Sequence, residues 1–332
     1  MALHSASNWV RAWFDRNSEL YGTRMGLLVT VLMATGGIAL GSIEASLAVQ
    51  TSGYISAVDI LISLLFLTAV KQGMRTADVI HNYGYGKYES LGILFSTILL
   101  MIVLVFTLIE AVQNVGQESF SQVNYPLLLV FSAATFLTMR LMSRMQSRYA
   151  ERFHMQILQY DADLWLVDSV AEAGVLANLV LGATLHLFDL HGPAQLIDSL
   201  TAIAILVYSL RVPITHARQA LSQLLDKTLP EEVQLDIITI IGENIAHICE
   251  FKNIHTRRSG RDLFMELDVI LPFDHTLEQA FEIEALIQQQ LTRKYPNAIV
   301  RMYVEPCNHE CESDGKRFCP IHVLKRGNDL SS

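Results

Sequence analysis

Six blocks of apolar residues, at about 25–43, 53–70, 90–112, 125–142, 164–188 and 194–213, constrain this 332-residue chain more than any other feature. Several approach the ~20 residues that cross a hydrocarbon layer of ~30 Å as a helix. The second and fourth are shorter or carry small and polar residues, which suits helices packed against other helices. The chain is 51% hydrophobic and only 17% charged, and these blocks hold much of that apolar excess. The reading is an α-helical membrane bundle of six transmembrane helices over 25–213, preceded by an amphipathic cytoplasmic lead-in over 1–24. Arg11, Asp15, Arg16, Glu19 and Arg24 in that lead-in argue against a cleavable signal peptide.

The connections alternate in charge. Arg11, Arg16 and Arg24 precede the first block, and Lys71, Arg75 and Lys87 follow the second. Arg140, Arg144, Arg148 and Arg152 follow the fourth, as a stripe with four-residue spacing on a helical extension, and Arg211 and Arg218 mark the exit of the sixth. The remaining connections, near Gln50–Ser52, Gln113–Gln122 and Asp189–Gln195, hold no lysine or arginine. The positive-inside rule then places both termini in the cytoplasm, as expected of a multi-pass inner-membrane protein. The basic stripe would rest on anionic lipid headgroups.

From about residue 214 the composition becomes that of a soluble domain. Pro230, with Glu231 and Glu232 beside it, predicts a helix to about Ala246. Strands are predicted at 251–258, 263–271 and 298–304, with a second helix over 275–293. The αββαβ order gives a small cytoplasmic α+β, ferredoxin-like domain over 214–306, and its size favours dimerisation. A net charge of −9 without a basic, aromatic-laced patch argues against nucleic acid as a partner. No nucleophile–base pair or phosphate-binding loop points to an enzyme.

Two acids interrupt the apolar blocks. Asp59 lies in Ile55-Ser56-Ala57-Val58-Asp59-Ile60-Leu61-Ile62, and Asp168 in Leu164-Trp165-Leu166-Val167-Asp168-Ser169-Val170-Ala171-Glu172. A carboxylate at the centre of a membrane helix costs roughly 2.5–3.5 kcal/mol on insertion scales, so such residues usually serve an ion, a proton or a polar cavity.

His81-Asn82-Tyr83-Gly84-Tyr85-Gly86-Lys87-Tyr88-Glu89-Ser90 resembles the H-x-[FY]-G-[HY]-G-K-x-E-[ST] signature of the cation diffusion facilitators, proton-coupled exporters of divalent metals. Leu224-Leu225-Asp226, followed by Leu229-Pro230, resembles the L-L-D…P junction of that family. The resemblance runs from about residue 24 to 306 and implies a homodimer that carries a divalent cation, as substrate, out of the cytoplasm in exchange for protons. It also implies a tetrahedral site made by D-x-x-x-D on the second span and H-x-x-x-D on the fifth. Asp59 and Asp168 match one aspartate each, while Ile55 and Leu164 stand where the other two ligands would be.

Two readings of this half-site stay open. Other oxygens complete the sphere, from Glu172 one turn beyond Asp168 and from Ser56, Ser169 or Asn178, favouring Mn²⁺, Fe²⁺ or Mg²⁺ over Zn²⁺. Alternatively, the chain is a transport-incompetent partner or metal-sensing subunit. Asp78 and His81 fall where some members hold a second metal, with Tyr85 in place of a further histidine. Lys87 and Asp226 would pair as a structural interlock. Lys252, Asp268, Phe281 and Tyr303 occupy positions where regulatory histidines would be expected, which implies that this site is lost.

The tail, 307–332, carries Cys307, His309, Cys311, Cys319 and His322. In a reducing compartment these thiols stay free for metal, and four of the five ligands suffice for one Zn²⁺. An unstructured reduced tail is the alternative.

Overall fold

The computed structural model describes residues 13–43, 47–113, 125–186 and 203–308. The chain divides into two compact units, Met1–Leu221 and Ser222–Ser332.

The first unit is helical. Its elements are α1 (Tyr21–Ile43), α2 (Leu47–Gly73), α3 (Lys87–Gln113), α4 (Tyr125–Phe153), α5 (Gln156–His186) and α6, whose first residues lie in this unit (Arg211–Leu224). Among the described residues three stretches are long and apolar enough to cross a membrane: Tyr21–Ala39, Lys87–Ile109 and Gln156–Leu181. The helix pairs α1 with α2, α4 with α5, and α2 with α3 make the main contacts, and α1 with α4 and α3 with α5 add smaller ones.

One cluster of buried residues ties this unit together. Ile62, Phe66, Ala69 and Val70 of α2 meet Ile93 of α3, Ala150 of α4, Ile157, Leu158 and Tyr160 of α5, and Ala220 of α6. Glycine permits the closest approach in it. A Cβ on Gly92 of α3 would stand 2.5 Å from the Ala69 Cβ and 3.2 Å from Ile157 Cδ1.

The fifth apolar block begins at Leu164, but its helix begins at Gln156. The polar residues Asp161 and Asp163 therefore lie inside α5. The cause is the tight joint with α4: His154 takes a left-handed backbone, φ 54°, and the Met155 amide donates to the Ala150 carbonyl at 3.2 Å. Helix geometry is thus imposed on a stretch that hydropathy alone leaves out.

The second unit holds α7 (Glu231–Glu243), β1 (Glu250–Ser259), β2 (Asp262–Leu271), α8 (Leu277–Lys294) and β3 (Ala298–Pro306). Sheet order is β1-β2-β3, with β1 antiparallel to β2 and β2 parallel to β3. The first helix ends near Glu243, short of the predicted Ala246, where the Asn244 side chain turns back to the Ile240 carbonyl at 2.7 Å. Thr276 and Gln279 form a reciprocal capping box that starts α8. Met265, Leu267, Val269 and Leu271 of β2 bury against Ile237, Ile240 and Ile241 of α7 and Ile283, Ile287 and Leu291 of α8.

Candidate transport site

Asp59 stands on α2 and Asp168 on α5, and the two carboxylates are close enough to feel each other's charge. Asp59 is half-buried and Asp168 is exposed. Two like charges this close repel, and a bound cation would relieve the repulsion.

Glu172 follows Asp168 by one helical turn and interacts with it electrostatically. The Ser132 hydroxyl of α4 donates to Glu172 Oε1. Ser169 donates instead to the carbonyl of Leu166 at 2.7 Å, which directs its hydroxyl along the helix. The side chains of Ile55, Ser56 and Asn178 lie outside the described residues. Leu164 packs against the apolar cluster around Phe66 and Leu158. Its position therefore belongs to hydrophobic packing, and no ligand stands there. Among the described residues no three His, Cys, Asp or Glu side chains converge tightly enough to hold an ion.

Asp161 was given no role in the site from sequence, although the run Leu158…Asp161-Ala162…Asp168 resembles the family's L-x-x-D-A…D pattern. Asp161 is 8% exposed and interacts electrostatically with both Asp59 and Asp168. Gln146 Nε2 of α4 donates to Asp161 Oδ2 at 2.7 Å and to the Gly22 carbonyl of α1 at 3.0 Å, and Trp165 adds a further hydrogen bond to the carboxylate. Gly22 and Gly26 make room for this link: a Cβ on Gly22 would stand 2.5 Å from Gln146 Oε1. The available signal was an acid seven residues before Asp168, hence on nearly the same helix face.

The loop before α3 is built around Asp78. Its Oδ1 accepts from the amides of Ile80 (2.9 Å) and His81 (2.7 Å), and its Oδ2 accepts from the Tyr85 hydroxyl (2.7 Å). The His81 amide above all, and then the Tyr85 hydroxyl, hold the Asp78 carboxyl below its usual range, while the Asp78 hydrogen bond raises that of Tyr85. The Arg75 guanidinium stacks over the Tyr85 ring at 4.4 Å. Gly84 supplies the positive φ, 78°, that this turn requires. His81 Nδ1 is 3.8 Å from Asp78 Oδ1, so both residues of the expected loop site are neighbours, but the carboxylate already has three donors.

Lys87 begins α3 in the first unit. Asp226, with φ 53°, accepts from Arg257 at 3.2 Å in the second. Where regulatory histidines were expected, Lys252 pairs with Glu305 at 2.6 Å and Asp268 accepts from Asn253 at 2.9 Å. Cys307 is buried, its amide donating to the Leu271 carbonyl at 2.8 Å, while His309, Cys311, Cys319 and His322 lie outside the described residues.

A helical unit with membrane-length apolar stretches and interacting acids, followed by a small α+β domain, has the architecture of a membrane transporter. Residues 24–225 match the cation efflux transmembrane domain, and residues 229–307 match the cation efflux protein cytoplasmic domain. The chain belongs to the cation efflux, or cation diffusion facilitator, family. The cation-efflux pump FieF of Citrobacter koseri is 27% identical over 268 residues, covering 79% of this chain and 84% of that protein. FieF of Klebsiella pneumoniae strain 342 is 27% identical over 255 residues, covering 76% and 80%. A solved structure of CzrB in its Zn form is 25% identical and covers 26% of this chain and 99% of that one, at a TM-score of 0.25.

Proposed function

We propose that the chain is a six-span homodimer of the inner membrane that exports a divalent cation from the cytoplasm in exchange for protons. The observation that carries this reading is that Asp59 of α2 and Asp168 of α5, two acids set in apolar helices, act on each other electrostatically. Glu172 is the proposed third oxygen ligand, offered by a turn of α5 and reached by the Ser132 hydroxyl. A carboxylate set that yields its cation takes up protons in its place, which couples the two fluxes. An all-oxygen set favours Mn²⁺ or Fe²⁺ over Zn²⁺.

The proposed organisation keeps the lead-in at 1–24, the bundle at 25–213, the dimerisation domain at 214–306 and the tail at 307–332, with both termini cytoplasmic and the basic connections on lipid headgroups. Lys87 and Asp226 are proposed to interlock bundle and domain. Asp78 and His81 form at most an auxiliary metal site, because Tyr85 already occupies the carboxylate. Zn²⁺ at Cys307, His309, Cys311, Cys319 and His322 is the proposed role of the tail.

Cation-driven proton flux in proteoliposomes tests the reading, with Zn²⁺, Mn²⁺ and Fe²⁺ as probes. Flux that disappears in Asp59→Asn and Asp168→Asn supports it. Flux unchanged by both substitutions, or absent from the wild type, overturns it in favour of the partner or sensor role.

A further inference from the structure

The side of α5 turned away from the acids carries a polar contact that transport, as described so far, does not use. His216 Nε2 of α6 lies 2.8 Å from Asp163 Oδ2, and Gln159 Nε2 donates to Asp163 Oδ1 at 3.0 Å. Their side chains are 13% and 31% exposed, so this bond is shielded from most competing water. Five residues separate Asp163 from Asp168, which sets them about 140° apart around the helix. Asp163 therefore faces a different side of α5 from Asp168.

The contact continues inward. The His216 ring packs against Tyr160, centroids 4.8 Å apart. Tyr160 shares a hydrogen bond with Thr97 of α3 at 3.0 Å and meets Phe66 of α2 edge-on, centroids 5.7 Å apart. His216, Asp163 and Tyr160 thus connect α6, α5, α3 and α2 at one level of the bundle. Eleven residues along α5, Gly174 receives Ile205 from the short helical run 203–209 that leads through Leu210 into α6. Eleven residues also separate Ile205 from His216, so the two segments run antiparallel side by side. The Gly174 contact is apolar and does not fix register, whereas the Asp163–His216 bond does.

We infer that Asp163 and His216 are positioning residues for transport: their bond fixes α6 on α5 and, through Tyr160 and Phe66, holds α5 closed against α2 on the cytoplasmic side of Asp59 and Asp168. The inference rests on the reading of those two acids as the transport site.

The test places Ser63→Cys, one turn from Asp59 toward Phe66, in the full-length protein. Its modification by a membrane-impermeant thiol reagent from the cytoplasmic face is read by mass spectrometry of that peptide, alongside Zn²⁺ and Mn²⁺ flux. His216→Ala and Asp163→Ala are each expected to label about tenfold faster and to lose about tenfold in maximal flux, with the half-saturating cation concentration moving less than about twofold. His216→Gln, which keeps an N–H directed at Asp163, is expected to restore both, and the double alanine variant to match either single one. Wild-type labelling in both alanine variants, losses that multiply in the double variant, or a glutamine variant as impaired as alanine would overturn the inference. A wild type without flux would remove the transport reading, while the labelling comparison would still decide whether the contact closes the bundle.

Discussion

Phe66 and Tyr160 meet edge to face, seven residues along α2 from Asp59 and eight residues before Asp168 on α5. At 1.5 Å per residue the two helices therefore touch roughly 10–12 Å from both acids, with Leu158, Ile157, Val70 and Ile93 sealing the same level. Apolar packing therefore joins the two helices on the Phe66 side of both acids.

Glu172 should act through its tie to Ser132. Glu172→Gln is expected to weaken cation binding by about an order of magnitude, and Ser132→Ala to weaken it less, since supporting hydrogen bonds typically shift affinity 10–100-fold or below. Calorimetric titration of the detergent-solubilised protein with Mn²⁺ measures both. Equal affinities in wild type and Glu172→Gln would remove Glu172 from the site.

The α2–α3 approach depends on Gly92. Gly92→Val puts new atoms against Ala69 and Ile157, for about 1–3 kcal/mol of destabilisation. Thermal unfolding in detergent should show a lower midpoint, and Ala69→Gly in the same chain should recover part of it by removing the Cβ 2.5 Å away.

Gln146 links α1, α4 and α5 from a fully buried position. Gln146→Leu deprives the Asp161 carboxylate and the Gly22 carbonyl of a shared donor at similar volume. The expected cost is about 1–3 kcal/mol, read as a drop in unfolding midpoint. A midpoint equal to wild type would show that Asp161 needs no such donor.

In the soluble unit, Asp236 accepts from Lys294 at 2.8 Å and from Tyr295 at 2.5 Å. The Lys294 bond first, and the Tyr295 bond second, hold its carboxyl below the usual range, while burial first and the Asp236 bond second push Tyr295 up to about 12. A depressed carboxyl contributes stability that is present above its unfolded pKa, about 3.9, and is lost as pH falls through the lower folded value. Residues 222–332 should therefore lose melting temperature more steeply below about pH 4 than the Asp236→Asn variant does. Parallel curves for the two would discount the pairing.

The apolar blocks, the alternating basic connections and the αββαβ order were legible in sequence because each depends on local composition and periodicity. So were Asp59 and Asp168, whose neighbours along the chain contain no base to neutralise them. What hydropathy left out was the polar start of α5, and with it Asp161 and Asp163. Their helical state comes from the tight joint at His154, and their partners Gln146 and His216 lie 15 and 53 residues away in sequence. Likewise, a missing histidine was readable at Leu164, but not that the position had passed to the apolar cluster. Sequence by itself determined which segments are apolar, which acids are out of place and which family motifs are present. Only the tertiary structure decided that Asp59 and Asp168 come within electrostatic reach of each other and that Phe66 meets Tyr160. Those are distances between helices, set by packing of side chains far apart in the chain.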